Sequence, residues 1–297
     1  ILILTSRICH FIIEFIENLS KKSFYIREEI TVKEFFMNEK IILNLCSYKN
    51  DILKITENGT YHNKTYLHIL PKNMSEKNLL ETAYFVDLKK EFHNLQKKIH
   101  RYFHHLNSSQ ALALNFFVPI IKEGLLSNFL GIEDEVFNTK FEYEEENSFE
   151  VKPYRKTNFD FYAETKNKKY FFEVKYTEKG FGSAKKNPTH KEKYKTIYKP
   201  TLEKICKANV PEDEFFKNYQ LWRNLCHVRY GTVCFVLPSF RNDLIKTIEN
   251  AKSFIKEEYE KSIQIIFIDE FVEKMTSHKN VNISKHYKEF KKKYFEY

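Results

Sequence analysis

The chain has 297 residues, 42% of them apolar, with only six glycines and seven prolines and a net charge of +9. This is enough apolar side chain to bury a core, so uniform disorder and long flexible linkers are excluded, and the length fits one large domain or a main domain with an appendage. The lysine excess suits a polyanionic partner, because Lys and Arg contacts to phosphate release counterions. The five cysteines include no C-x-x-C pair and are odd in number, which points away from a disulfide frame or zinc site and towards reduced thiols and a cytoplasmic location.

Residues 1–19 begin apolar but are interrupted by Arg7, His10, Glu14 and Glu17. The stretch is too short and too charged for a membrane span and has no small-residue cleavage site, so no membrane association is expected. Residues 6–20 read instead as an amphipathic helix. The lack of an initial Met suggests numbering that begins inside a longer or processed chain. Residues 41–47, 51–56 and 65–70 read as strands, with a turn signal at Glu57-Asn58-Gly59-Thr60. Residues 1–74 would then be an α/β appendage, serving specificity, dimerisation or bracing.

Pro71–Ser75 makes a break. Leu80, Tyr84, Leu88, Phe92, Leu95, Ile99 and Phe103 recur at three- and four-residue spacing, which predicts one long helix over 76–105. His100 and His104 lie four apart, a spacing zinc could use, but no Cys or carboxylate partner follows at a familiar distance. Asn107-Ser108-Ser109 is a capping signal for a helix over 110–130 that ends at Gly131. Pro119 inside it deprives the Asn115 carbonyl of its usual partner and should kink it. An acidic strand over 140–146 follows, with Glu142 and Glu144 on one face.

The stretch NFDFYAETKNKKYFFEVKYTE (158–178) reads as two strands, 159–165 and 169–177, rich in Phe, Tyr and Val and joined at Lys166-Asn167-Lys168. If Thr165 pairs with Lys168, Asp160 falls opposite Glu173. Alternation then puts Glu173 and Lys175 on one face, and Phe172, Val174 and Tyr176 on the other. Mg²⁺ prefers oxygen ligands, usually one or two carboxylates with waters and substrate phosphate. Asp160 and Glu173 could supply the carboxylates and the Val174 backbone carbonyl a third oxygen, with Mn²⁺ as a substitute ion. Lys175 could orient water or stabilise charge on phosphate oxygens. The alternative is a hairpin with a solvated charged face.

Residues 179–199 carry seven lysines and one glutamate. A basic loop dotted with aromatics suits contact with a phosphate backbone, through Lys185, Lys186, Lys191 and Lys193; a solvated mobile loop is the alternative. Residues 212–228 read as a helix with Phe215, Tyr219, Trp222 and Cys226 on its apolar stripe and Gln220, Arg223 and His227 on a neighbouring one. The apolar run 231–238 reads as a strand buried on both faces. A helix over 242–256, a strand over 263–269 and a basic terminal helix over 284–295 complete an α/β alternation.

Asn158-Phe159-Asp160 followed by Glu173-Val174-Lys175 resembles the PD-(D/E)XK nuclease superfamily, with Phe159 in place of the Pro. Within it the chain resembles bacterial putative restriction endonucleases, through SSQALALNFFVPI (108–120), FEYE (141–144), TNFDF (157–161), FFEVKYTEKGFG (171–182) and NYQLWRN (218–224). The likeness covers about 75–270, which would be the nuclease domain, with 271–297 a basic C-terminal helix. It implies a restriction-endonuclease-like α/β core, a central mixed sheet flanked by helices. It implies Asp160, Glu173 and Lys175 as the catalytic set, and an extra carboxylate near the metal from an early helix, for which Glu123 is the candidate and Glu142 and Glu144 compete. It implies that Gln220 and Arg223 face the cleft and contact DNA. The expected function is Mg²⁺-dependent cleavage of double-stranded DNA by a type II restriction or related defence nuclease, as a homodimer by analogy. A structure-specific repair nuclease and a non-cleaving nucleic-acid-binding module on the same fold are the alternatives.

Overall fold

The β-rich hairpin sequence becomes the middle of a five-stranded sheet. In this computed structural model of the protein, residues 37–296 are described, so the amphipathic helix expected over 6–20 lies outside the described residues. A small hairpin, β1 (Gly59–Tyr61) and β2 (Lys64–Tyr66), precedes the main sheet of β3 (Val136–Glu144), β4 (Asn158–Thr165), β5 (Lys169–Val174), β6 (Thr232–Leu237) and β7 (Ile263–Phe267). The spatial order is β3-β4-β5-β6-β7. The first three strands pair antiparallel and the last three parallel. A parallel neighbour needs a crossover, and the long connection from β5 to β6 forms much of one helical layer. Where β6 begins, a Cβ on Gly231 would lie 2.3 Å from the Lys169 carbonyl oxygen of β5, so only glycine allows this approach.

Helices cover both faces. On one side, Phe161, Ala163, Phe172, Val174 and Val236 pack with α1 (Phe85–Leu95), α2 (Ser109–Lys122) and the last two helices, α6 (Ile268–Thr276) and α7 (Val281–Tyr294). Phe117 of α2 stacks on Phe161 with ring centres 4.1 Å apart, a contact worth about 1 kcal/mol beyond burial. On the other side, Tyr162, Phe171, Val233, Phe235 and Leu237 pack with Trp222 and Leu225 of α4 (Tyr219–Leu225) and with Leu244 and Ile248 of α5 (Asn242–Lys252). Short α3 (Glu212–Lys217) precedes α4.

Pro119 has the consequence its chemistry dictates. The Asn115 carbonyl, which loses its intrahelical donor, accepts from His286 Nε2 at 2.7 Å. The adjacent Phe116 carbonyl accepts from the Tyr287 hydroxyl at 2.6 Å. Both donors come from α7, so the last helix completes the backbone of α2. Ile41, Leu45 and Tyr48 from the chain before residue 75 lie in the same apolar cluster as Tyr287, Phe290 and Tyr294.

Several expected elements differ. Residues 37–47 are helical, not a strand, and lead into a wide turn at Tyr48–Ile52 where a second strand was expected. Ile41, Leu45 and Tyr48 are buried at spacings of four and three, the helical period, which outweighed the β preference of an Ile-Ile-Leu run. Of the third expected strand, Thr65 and Tyr66 pair with Gly59–Tyr61 through a His62-Asn63 turn with φ of 48° and 60°, and Ile69 forms an isolated bridge with His105. The long helix over 76–105 is α1 alone, ended by Gln96 at φ 36°. The helix over 110–130 divides at Glu123-Gly124 into α2 and a short turn, Leu126–Leu130. The basic loop contains a helix, Pro188–Lys193, capped by Asn187. The helix over 212–228 is broken at Asn218. Among the described residues, no helix is long and apolar enough to cross a membrane.

Candidate active site

The hairpin turn sets the site. Thr165 N–H donates to the Lys168 carbonyl at 2.9 Å and Phe161 lies opposite Phe172. This register sets Asp160 opposite Glu173, on the face that also carries Tyr162 and Phe171. The β4–β5 ladder gives way here to a side chain: Asp160 Oδ2 accepts the Val174 N–H at 2.7 Å. The N–H and C=O of an extended residue point to the same side, so the Val174 carbonyl is turned towards β4. One residue on, Lys175 N–H donates to the Val236 carbonyl at 2.9 Å and keeps the chain against β6.

Glu173 and Lys175 are buried, 2% and 6% exposed, and their charges meet at 2.9 Å. Helix α4 fixes both. Gln220 Nε2 donates to Glu173 Oε1 at 2.7 Å, while Gln220 Oε1 accepts from Lys175 Nζ at 2.8 Å. Asn224, one turn later, donates to Glu173 Oε2 at 2.9 Å. Burial alone would lower the Lys175 pKa, but the charges of Glu173, Glu178 and Asp160 outweigh it and raise it above the ordinary lysine value. Beside these carboxylates Lys175 is held as a cation, able to donate a proton in a hydrogen bond.

A third carboxylate completes the cluster. The β3–β4 register would set Glu142 opposite Asp160, but Glu142 has φ 51° and is left out of the ladder. Its carboxylate accepts from Gln110 Nε2 at 2.5 Å and from the Asn158 amide. Asp160 titrates well above the usual carboxylate range because it loses hydration and stands beside the charges of Glu173 and Glu142. Burial raises Glu142 as well.

The remaining candidate residues divide. Glu123 lies at the end of α2, where it accepts from the Tyr84 hydroxyl at 2.9 Å and from Asn280 at 2.7 Å; Glu142, not Glu123, shares the cluster with Asp160. Gln220 enters the site. Arg223 turns to Glu150, at 3.0 Å. Lys185 and Lys191 are exposed, and Lys186 pairs with Asp213. Lys193 is buried, donates to the Arg155 carbonyl at 2.7 Å and approaches Glu150 at 3.5 Å, so it is not available to a phosphate.

Sequence reasoning missed Gln110, Asn158 and Asn224 as partners of the carboxylates, and Arg241. The buried Arg241 guanidinium donates to the carbonyls of Tyr176 at 2.5 Å and Glu178 at 2.6 Å, clamping the chain just past Lys175. The Q-x-x-x-N spacing of Gln220 and Asn224, two amides one helical turn apart, was the available signal for their shared role.

Among the described residues, no three His, Cys, Asp or Glu side chains form a ready-made metal cage. Mg²⁺ does not need one, since it is commonly held by one or two carboxylates with water and phosphate completing its shell. The donor set here fits that pattern. Asp160 and Glu173 supply carboxylate oxygens, and the buried Asn158 Oδ1 and Asn224 Oδ1 beside them have no hydrogen-bond partner, so acceptor oxygens exceed donors. The cluster can bind a hard cation and present the Lys175 ammonium to an anion next to it.

No curated protein and no solved structure matches the chain. A family model described as "Restriction Endonuclease associating with ARP" matches residues 36–295, including every residue of the cluster, and the chain belongs to this restriction-endonuclease family.

Proposed function

We propose that the chain is a PD-(D/E)XK nuclease that hydrolyses phosphodiesters of double-stranded DNA, in a type II restriction or related defence role. The observation that carries this reading is the pairing of half-buried Asp160 with buried Glu173 on one sheet face, next to a buried lysine whose ammonium meets Glu173 at 2.9 Å. Mg²⁺, or Mn²⁺ in its place, would be held by Asp160, Glu173 and the Val174 carbonyl, and would polarise the phosphate and acidify a water. Lys175 donates to a phosphate oxygen or to the attacking water and offsets charge as it builds. Gln220 and Asn224 keep Glu173 in one rotamer, and Gln220 also sets the direction of the ammonium. Glu142 adds negative charge beside Asp160 and so favours an incoming cation. We extend to this chain the association with ARP that the family description names, and action as a homodimer on two strands.

The test is plasmid cleavage with Mg²⁺, with and without EDTA. Discrete fragments that vanish with EDTA support a restriction enzyme. Metal-dependent cutting confined to branched or damaged substrates would replace that role with repair. Binding with no cutting under any metal would reject the enzymatic reading.

A further inference from the structure

The segment between α1 and α2 borders the carboxylate cluster on two sides. Asn107 Nδ2 donates to Thr177 Oγ1 at 2.9 Å, two residues beyond Lys175. Gln110, which holds Glu142, also accepts from His100 N–H at 2.8 Å and donates to the Lys98 carbonyl at 3.0 Å. The β1–β2 hairpin is tied to the same segment: Leu70 N–H donates to the His104 carbonyl at 3.1 Å, and Leu106 N–H to that of His68 at 3.2 Å. Hairpin and segment together form a rim continuous with the candidate active site.

The rim is aromatic and cationic. The half-buried Tyr61 ring meets those of Tyr102 at 5.0 Å, His105 at 5.4 Å and Tyr66 at 6.2 Å. The exposed Arg101 guanidinium lies 4.5 Å from the centre of the Tyr102 ring. Beside them is a cleft of about 620 Å³ whose walls include Lys72, Arg101, Tyr102 and His104, with Glu57 as the one carboxylate lining it. The histidines form no metal group among the described residues. Aromatic rings interleaved with cations match the two parts of a nucleic-acid strand, since every base has a face that stacks on an aromatic ring and every linkage carries a phosphate.

We infer that this rim is a DNA-contact surface that holds the strand entering the active site, with Lys72 and Arg101 at phosphates and Tyr61 and Tyr102 against bases or sugars. The inference rests on the nuclease reading and adds to it a place for DNA outside the carboxylate cluster.

The test is equilibrium binding of the full chain to a labelled duplex, and to the same strand unpaired, in EDTA across a salt series. The double variant Lys72→Gln/Arg101→Gln should bind about tenfold more weakly at low salt and flatten the slope of log K against log salt by about 1.8, or 0.9 for each contact. Tyr102→Ala should weaken binding about tenfold without changing the slope, more for the unpaired strand than for the duplex. Tyr102→Phe keeps the ring and should bind like wild type, which separates lost stacking from lost folding. Wild-type affinity and slope in the double variant, or equal loss in Tyr102→Ala and Tyr102→Phe, would overturn the inference. Asp160→Asn tests the nuclease reading separately, by loss of cutting with binding retained. If wild type cuts and Asp160→Asn does not, yet the rim variants bind normally, only the rim assignment fails. If wild type neither binds nor cuts DNA, both fail.

Discussion

Helix α4 serves two buried carboxylate centres with opposite electrostatics. Through Gln220 and Asn224 it holds Glu173; through Arg223, between them in sequence, it holds Glu150. Glu150 is wholly enclosed but well supplied. It receives Arg223 at 3.0 Å, the Tyr198 hydroxyl at 2.5 Å and the Thr157 N–H, with Lys193 at 3.5 Å. Burial would raise its pKa, yet Arg223, His227 and these hydrogen bonds outweigh burial and hold it below the usual range. At the other centre the carboxylates of Asp160, Glu173 and Glu142 outnumber the lysines beside them, Lys175 and Lys98, and Asp160 is pushed the other way. Glu150 is fully buried and Asp160 only half-buried, yet their pKa values move in opposite senses, so charge balance decides the difference. Glu150 is neutralised by the protein itself, and its network pins the β3–β4 connection. The Asp160 centre keeps a surplus of negative charge that folding leaves unpaired. Such a surplus is costly, and a bound cation would relieve it.

Breaking the unbalanced centre should have the largest effect. Asp160→Ala and Glu173→Ala are expected to lower cleavage by several orders of magnitude, since groups that act as a unit fail together. Lys175→Ala should abolish most cutting while leaving metal binding in place, as followed by calorimetric titration with Mn²⁺. Metal-free DNA binding should survive Asp160→Ala and Glu173→Ala and tighten, because a carboxylate no longer repels phosphate. Near wild-type cutting by either carboxylate variant would move the active site elsewhere.

Breaking the balanced centre should act on the fold. Glu150→Gln leaves the buried Lys193 and the half-buried Arg223 without their anion, at a cost of about 3 kcal/mol. A shifted urea midpoint would show this, and an unchanged one would mean that Glu150 contributes no net stability.

The comparison can be sharpened with pH, where the two centres have opposite signs. The Glu150 pKa is lower in the folded state, so its contribution is present above the unfolded value and lost as pH falls through the folded one. The Asp160 pKa is higher in the folded state, so stability is full below the unfolded value and declines as pH rises through the folded one. Asp160→Asn should therefore be more stable than wild type at neutral pH, with the difference shrinking towards about pH 4. Glu150→Gln should be less stable at neutral pH and approach wild type only in acid. Parallel pH profiles for the two variants would refute the contrast.

The smallest effects belong to the surface. Lys185→Ala and Lys191→Ala should each flatten the salt dependence of DNA binding by about 0.9. Lys193 is held near Glu150, and burial, then Arg223, bring its pKa down to about 8. Lys193→Ala should therefore lower the melting temperature and leave the salt slope as in wild type.

What could be read from the sequence was what local geometry decides. One turn, Thr165 to Lys168, sets the parity of two strands, so the shared face of Asp160 and Glu173 followed from counting. The apolar run of β6 and the helix–strand alternation after it were equally local. The partners of the site were not legible, because Gln110, Asn224 and Arg241 reach Glu142, Glu173 and the Tyr176 carbonyl across gaps of 32 to 65 residues. Glu142 was recognisable as acidic strand sequence, but its positive φ, which takes it out of the ladder, has no glycine to announce it. The same lack of a marker hid the end of α1 at Gln96, where an apolar period continued past the helix that produced it.

The docking of α7 has a consequence for truncated chains. Besides closing the backbone of α2, this helix accepts the Tyr176 hydroxyl on its Tyr294 carbonyl at 2.7 Å, one residue from Lys175. A chain that ends at residue 280 carries every residue of the cluster and keeps the Arg241 clamp, but loses this second hold on the exit from β5. It also leaves Phe116 without Tyr287 and Phe290, and Phe271 without Tyr287. Helix α7 thus works as a latch on the cluster, and a chain ended at residue 280 should fail to cut DNA.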